Sequence, residues 1–370
     1  MMEPALAAIL EDITAWDARS GALRWSDARF DAHVRAIFAH QHAYNKPYRA
    51  FCEGRGASPD TVKTWRDVPA VPTDVFKHVR LTSAEAPVRT FHTSGTTQGA
   101  RGAHHMGTLE LYRASLRGPF ERFMLPDRPH MRLLSLVPPP AALPDSSLSF
   151  MVGELAGEGD VWPVGFDAAS GWRFDLDAIF AALDAAQEAG EPLMMLGTAF
   201  AFAEVMEQAG ARRWRLPAGS RLMETGGFKG RKREVSREAF YEALSATFDV
   251  PQHACVAEYS MTELSSQAYT DSLWSHAAGQ RWAPARLVTA PWARMVIVDP
   301  VTLSPVDEAG RVGLIRWIDL ANTESVIAVQ TSDLGFMHED GAVTLIGRAP
   351  DAELRGCSLT IEEILGSAAR

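Results

Sequence analysis

From Glu3 to about His42 the apolar residues recur at three- and four-residue spacing, through Leu6, Ile9, Leu10, Ile13 and Trp16 and on to Trp25, Phe30 and Phe38. That period predicts a helical N-terminal region, a cap for whatever follows. Pro69 and Pro72 in "VPAVPTDVFKHVRL" then rule out a continuous helix and predict an extended approach to a Gly-rich stretch. A helix is expected from about Leu109 to Met124. Beyond it, strand-like "RLLSLVPP", helix-like "FDLDAIFAALDAAQEAG", mixed "PLMMLGTAFAFAEVMEQAG" and strand-like "RLMETGG" alternate, the signature of an α/β sheet with helices packed on it. A helix over about Ser236 to Phe248 should lead to a short apolar strand and "EYSMTEL". In the last third, "ARMVIVDPVTLSPVDEAGRVGLIRWIDL" alternates β-branched and aromatic residues around turn dipeptides, so a strand-rich subdomain is expected there.

Composition narrows the class. The 370 residues are 46% hydrophobic and 22% charged with a net charge of -10, an ordinary globular balance without low-complexity tracts. Such an acidic chain is a poor partner for nucleic acid, which needs clustered Lys and Arg; the short basic run "KGRKREVSR" reads more simply as a solvated helix start. Cys52, Cys255 and Cys357 lie far apart without CxxC spacing, so neither a disulfide framework nor a zinc cluster is indicated. A reducing cytoplasm is the expected compartment. The N-terminus reads as an amphipathic helix rather than a signal peptide, and no apolar run approaches a membrane span.

The chemistry concentrates first in "FHTSGTTQGARGAHH", Phe91 to His105. Gly95, Gly99 and Gly102 let backbone approach a ligand, while Ser94, Thr96 and Thr97 supply hydroxyls, a combination suited to polyphosphate. A flexible surface loop is the plainer reading. An apolar lead-in ending at Phe91 and a cation at Arg101 favour phosphate, yet the stretch is neither a Walker A loop nor a dinucleotide GxGxxG.

"HTSGTTQGARG" resembles the phosphate-binding signature of the adenylate-forming superfamily of acyl-CoA synthetases and peptide-synthetase adenylation domains. "ETGGFKG", "EYSMTEL", "QTSDLG" and "IGRAPDAELRG" match further motifs of that superfamily in the same order, from Thr93 to Gly356. The resemblance implies an α/β adenylate-forming large-domain fold that uses ATP and Mg2+ to turn a carboxylic acid into an acyl-adenylate. Thr93, Ser94, Gly95, Thr96 and Thr97 would then bind ATP with Gly226, Gly227, Phe228, Tyr259, Thr262, Asp333 and Arg348. Thr97, Arg101 and Thr262 would assist catalysis, and Glu263 would hold the Mg2+ ion.

These roles suit the residue types. Tyr259 can stack on a base, Gly226 and Gly227 leave room for a purine, and Asp333 can accept both ribose hydroxyls with Arg348 assisting. Glu263 offers the oxygen ligand that Mg2+ wants. Each also has a plain structural reading: a strand-to-helix turn at Gly226, a helix-starting Thr-Glu pair at Thr262, a β-hairpin turn at Asp333 and a surface Arg at Arg348. For the acid, His104 (or His105), Thr198, Phe200, Gly227 and Met261 are the candidates, with Met194, Met195 and Phe202 beside them or simply in the core. Gln98 replaces a common Gly and Arg101 the usual lysine, which changes the phosphate grip in detail.

Within the superfamily the chain is most similar to the acyl-protein synthetases, the long-chain fatty-acid protein ligases. That branch implies acyl transfer to a cysteine near the C-terminus and on to a reductase partner, and Cys357 in "RGCSL" stands at the matching position, where Arg355 can lower its pKa. A small buried residue is the alternative for Cys357, as it is for Cys52 and Cys255. The sequence thus divides into a helical region at 1–80, a nucleotide- and acyl-binding α/β core at 81–290, a β-rich subdomain at 291–347 and a short tail at 348–370. The full small C-terminal domain of the superfamily is expected to be absent. Two other readings remain open: a ligase loading coenzyme A or a carrier-protein phosphopantetheine, and an inactive interaction subunit.

Overall fold

The computed structural model describes residues 4–94, 100–226 and 236–349. In chain order the elements are α1 (Pro4–Thr14), α2 (Asp27–Tyr44), α3 (Lys46–Glu53), β1 (Val71–Pro72), β2 (Arg89–His92), β3 (Ala103–Met106), α4 (Glu110–Met124), β4 (Arg132–Ser135), α5 (Ser147–Leu155), β5 (Val164–Asp167), β6 (Gly171–Phe174), α6 (Leu176–Ala189), β7 (Leu193–Thr198), α7 (Ala199–Ala209), β8 (Arg221–Thr225), α8 (Arg237–Phe248), β9 (Cys255–Tyr259), β10 (Ala268–Thr270), α9 (Ser272–Ala277), β11 (Leu287–Thr289), β12 (Ala293–Val298), β13 (Gly313–Asp319), β14 (Ala328–Met337) and β15 (Val343–Arg348). By their contacts these fall into two compact units, 1–118 with 261–267 and 288–370, and 119–260 with 268–287.

In the first unit, β12, β13, β14 and β15 form an antiparallel meander, with β1 alongside β14 in parallel. The strand-rich last third is therefore as the alternation predicts. The N-terminal helices belong to this unit. Ser26 caps α2 by accepting from the Arg29 N–H, and Phe30, Val34, Ile37 and Phe38 form its buried stripe at helical spacing. After Pro72 the chain makes a 3-10 turn at Thr73–Lys77 rather than a simple extended approach.

The link between β13 and β14 organises the unit. Asp319, wholly buried, accepts from the backbone N–H groups of Ser265, Ser266 and Ala321 at 2.8, 2.9 and 3.0 Å and from the Ser266 hydroxyl at 2.6 Å. Asn322 donates to the carbonyls of Glu263 and Val326, both at 2.9 Å. From α2, Gln41 donates to the carbonyls of Asn322 and Thr323 and accepts from the Ile327 N–H, while Asn45 donates to the Ser325 carbonyl. A buried loop must pair its backbone polar groups somewhere, and here side-chain amides and a carboxylate do it.

The second unit is built on the parallel strands β4, β7, β8 and β9, with β10 antiparallel to β9. Their burial on both faces explains the near-continuous apolar runs in β4, β7 and β9. Thr198 caps α7 and Ser236 caps α8, each accepting a backbone N–H three residues on, which fixes where those helices start. At the start of β8, buried Arg221 pairs with Asp127 at 2.8 Å, which draws the Asp127 carboxyl down to about 2.

The Asp319 network yields a stability prediction. Asp319→Ala strands four donors in the interior and is expected to lower the unfolding free energy in urea by more than about 3 kcal/mol, at about 1–3 kcal/mol for each uncompensated group. Asn322→Ala should cost less. A loss under about 1 kcal/mol for Asp319→Ala would mean that the loop is held by other contacts.

Candidate functional site

The residues on either side of the Gly/Ser/Thr stretch pair as a two-stranded hairpin, and the expected helix, α4, follows from Glu110. β2 and β3 pair antiparallel, with Phe91 opposite His104 and His92 opposite Ala103. The pairing continues to Thr93, whose N–H donates to the Gly102 carbonyl and whose hydroxyl accepts the Gly102 N–H, both at 2.9 Å. A Cβ on Gly102 would lie 3.0 Å from the Thr93 methyl, so the close approach of the two stem ends favours glycine there. Arg101 folds back on the stem, donating from Nε to the Thr93 carbonyl at 2.7 Å and from Nη2 to the His92 carbonyl at 3.2 Å. Ser94 follows Thr93 at the lip of the stem, while Gly95, Thr96 and Thr97 lie outside the described residues.

Inside the same unit, Met261 to Leu264 make a turn closed by the Leu264 N–H on the Met261 carbonyl at 3.1 Å. Thr262 and Glu263 therefore sit on a turn, not at the start of a helix. His104 ties this turn to the hairpin: its Nδ1 lies 2.7 Å from the Thr262 carbonyl, and its ring meets Phe76 edge to face. A carbonyl only accepts, so Nδ1 carries the proton. Burial keeps the imidazole neutral by drawing its pKa down to about 4, against the hydrogen bond it donates to the Thr262 carbonyl, which raises it. His104 thus holds the turn through its backbone instead of presenting Nδ1 to an acid. Glu263 is buried, and its carbonyl is fixed by Asn322. Among the described residues no group of three or more His, Cys, Asp and Glu lies close enough to hold a metal ion alone.

Asp333 lies within β14 rather than on a hairpin turn, directly opposite Arg348 of β15. Arg348 Nε donates to Asp333 Oδ1 at 3.2 Å from a side chain that is 61% exposed. An exposed pair of this kind is worth about 0–1 kcal/mol, so a ligand can rearrange it cheaply.

The remaining candidates belong to the second unit and gather at the C-terminal ends of its parallel strands. Thr198 ends β7, Thr225 ends β8, and Glu258 and Tyr259 end β9. After Thr225 the chain turns at Gly226, whose φ of 67° lies in the left-handed region. Tyr259 is buried. Phe200, at the start of α7, is 48% exposed, with its ring 6.5 Å from that of Phe174. Gly227, Phe228 and Cys357 lie outside the described residues. Cys52 and Cys255 are buried thiols that burial pushes up to about 12, so neither is a nucleophile near neutral pH.

Two carboxylates here escaped the sequence reading. Glu224 on β8 accepts from the Tyr241 hydroxyl at 2.7 Å and lies 3.8 Å from Arg237; burial raises its pKa. Glu258 accepts a short hydrogen bond from the Thr225 hydroxyl. Burial pushes it up to about 7, against the Ser260 and Thr225 hydroxyls that lower it and with help from the charge of Glu224. The signal available was an acid placed inside an otherwise apolar strand, in "RLMET" and again in "CVAEY".

The chain matches the acyl-protein synthetase, LuxE, family over residues 163–366. It is 21% identical over 352 residues to a long-chain-fatty-acid–luciferin-component ligase of Aliivibrio fischeri, covering 90% of this chain and 88% of the relative. Among solved structures it is similar to 2-hydroxyisobutyryl-CoA ligase in the postadenylation state with R3-HIB-AMP, at a TM-score of 0.56 and 17% identity, over 87% of this chain and 67% of that one. The open conformation of the same ligase with 2-HIB-AMP and CoA gives a TM-score of 0.55 at 16% identity, over 88% and 70%. The chain spans about half the length, 51%, of the ATP-bound RpMatB-BxBclM chimera B3, over 80% of its own residues at 16% identity and a TM-score of 0.49. The fold is that of the adenylate-forming ligases, as the ordered motifs implied.

The raised pKa of Glu258 sets a pH signature. Between the unfolded value of 4.5 and about 7 the native state holds a proton that the unfolded state releases, so this group costs stability as pH rises through that window. At about 1.4 kcal/mol per pKa unit the cost reaches about 3 kcal/mol above pH 7. Glu258→Gln, still able to accept from Thr225, should match the parent near pH 4.5 and exceed it by about that amount at pH 8 in denaturant melts. Equal stabilities at pH 8 would contradict the raised value.

Proposed function

The chain belongs to the acyl-protein synthetase, LuxE, family and is a ligase of the acid-thiol type; on that premise we propose that it activates a fatty acid with ATP and passes the acyl group to the thiol of Cys357. In the first step a carboxylate oxygen attacks the α-phosphorus, the bond to the bridging oxygen breaks, and pyrophosphate leaves. In the second, the Cys357 thiol loses its proton to solvent, its sulfur attacks the acyl carbon, the bond from that carbon to the phosphate oxygen breaks, and AMP leaves as the thioester forms. The attack on phosphorus needs no side-chain nucleophile, only positioning and charge neutralisation.

The observation that carries this reading is the 2.7 Å bond from His104 to the Thr262 carbonyl, which joins the stem of the Gly/Ser/Thr hairpin to the Thr262–Glu263 turn. Two groups meant for one polyphosphate have to be held at a fixed spacing, and a buried hydrogen bond supplies that. Thr93, Ser94, Gly95, Thr96 and Thr97 would surround phosphate oxygens, Thr262 would donate to the α-phosphate, and Arg101 would swing from its carbonyls to the phosphates. Tyr259, Gly226, Gly227 and Phe228 would bound the adenine, and Asp333 would accept the ribose hydroxyls with Arg348 beside it. Glu263 fits Mg2+, a hard ion that takes one or two carboxylates and keeps several waters; when bound it would neutralise phosphate charge. Thr198, Phe200 and Met261 would line the path of the acid.

As in the sequence, an acceptor protein such as a reductase is the expected destination of the acyl group; the relative's name points to a luciferin component. No helix among the described residues is long and apolar enough to cross a membrane.

The test is acid-dependent ATP–pyrophosphate exchange with mass spectrometry of the protein. Exchange is expected with long-chain acids, and Thr262→Ala or Glu263→Ala should reduce it about 100-fold, the usual effect of removing a preorganised charge-stabilising group. Cys357→Ser should keep exchange and lose the covalent acyl group; an acyl group found only on added coenzyme A or carrier protein would move the acceptor off this chain. His104→Phe should cost about 10-fold in kcat through a misplaced turn, and His104→Asn, whose amide can donate from the Nδ1 position, should recover most of it. Absence of exchange with every acid would leave an interaction subunit in place of an enzyme.

A further inference from the structure

The register of the parallel strands puts three polar side chains in one row. Thr198 pairs with Thr225 and Thr225 with Glu258, so all three project to the same face at the C-terminal ends of β7, β8 and β9. The row before it on that face is Leu196, Met223 and Val256, all fully buried and apolar. A polar row on an apolar floor, at the strand ends where open α/β sheets receive their ligands, is the place to look for unmet hydrogen-bonding capacity.

That capacity resides in Glu258. Its carboxyl is 3% exposed; Oε2 takes the Thr225 hydroxyl, and Oε1 is buried with no hydrogen-bond partner among the described residues. Thr198 already accepts the Ala201 N–H at 3.0 Å as the cap of α7, which leaves its hydroxyl proton to donate. Glu224, the other buried carboxylate nearby, is one position out of phase with Thr225 and faces α8, where Tyr241 and Arg237 meet it. The Ser260 hydroxyl favours the charged form of Glu258 but leaves Oε1 without a hydrogen bond among the described residues, whereas Glu224 meets both a hydroxyl and a cation. Leaving a buried polar oxygen unpaired costs about 1–3 kcal/mol, and such a group is retained where something else pairs with it.

We propose that the Thr198–Thr225–Glu258 row is a recognition subsite for a hydrogen-bond donor carried on the chain of the carboxylic acid, with Glu258 Oε1 as its acceptor. This inference rests on the acid-activating reading above and sharpens its substrate class. The acid then bears a hydroxyl or amino group along its chain, and a plain hydrocarbon tail leaves Glu258 unmet. A site built around such a group rejects the analogue lacking it more strongly than an apolar pocket rejects an added methylene.

The experiment compares kcat/KM in ATP–pyrophosphate exchange, on the full chain, for straight-chain acids and the same acids carrying a hydroxyl or an amino group at successive positions. At one position a donor-bearing acid should exceed its parent by at least about 10-fold. Preference for the hydroxyl would identify a neutral donor, and preference for the amine an ionic one. Glu258→Leu should abolish the ratio or invert it, and Glu258→Gln should shrink the amine preference more than the hydroxyl one. A ratio between two acids on one enzyme does not depend on the fraction folded, so a misfolded variant cannot mimic the result. Unsubstituted acids equal to or better than every donor-bearing partner in the parent enzyme would overturn the subsite while leaving acid activation intact. No exchange with any acid would overturn the activation reading and the subsite with it.

Discussion

The carboxylate of Asp319 is the point from which the first unit is hung. With four donors converging on it, the connection between β13 and β14 becomes a rigid mount in place of a surface loop. The amides of Asn322, Gln41 and Asn45 extend the same solution, each pairing backbone groups that a buried turn would otherwise leave unmet. The helical cap and the Met261–Gln267 segment are consequently fixed to one object. Neither can shift without exposing paired groups to an interior that cannot solvate them.

Function on such a mount depends on what projects from it. The Thr262–Glu263 turn owes its position to Asn322 on one side and His104 on the other, so its geometry is set before any ligand arrives. Arg101 and the Asp333–Arg348 pair differ, because their partners are carbonyls or an exposed counter-charge that a ligand can replace at small cost. The parallel strands of the second unit supply another kind of frame, in which register alone decides which side chains share a face.

Helices and strands with strong periodicity were legible in the sequence: the α2 stripe, α4, α8 and the strands of the last third follow from spacing and caps. The ordered motifs carried the fold. The hairpin around the Gly/Ser/Thr stretch was not legible, because Arg89–His92 and Ala103–Met106 are four residues each and their pairing is a tertiary fact. The same holds for Asp333, where "SDLG" has turn composition but lies in a strand held by pairing with β13 and β15. His104 could be named as a candidate, yet its bond to a residue 158 positions away could not be foreseen. Glu224 and Glu258 were missed since an acid in an apolar strand gives no hint of which face it takes until the register is known.

The bonds from Gln41 to the β13–β14 connection also order events in time. Donor and acceptor are 281 residues apart, so α2 leaves the ribosome long before its partner exists. At roughly 5–20 residues per second, that interval is tens of seconds. Throughout it the stripe of α2 can already pack on α1, α3 and the Trp65–Asp67 turn, whereas the amides of Gln41 and Asn45 wait for the connection they pair with. The N-terminal helices can thus assemble early among themselves, and it is their seating on the β13–β14 connection that comes last.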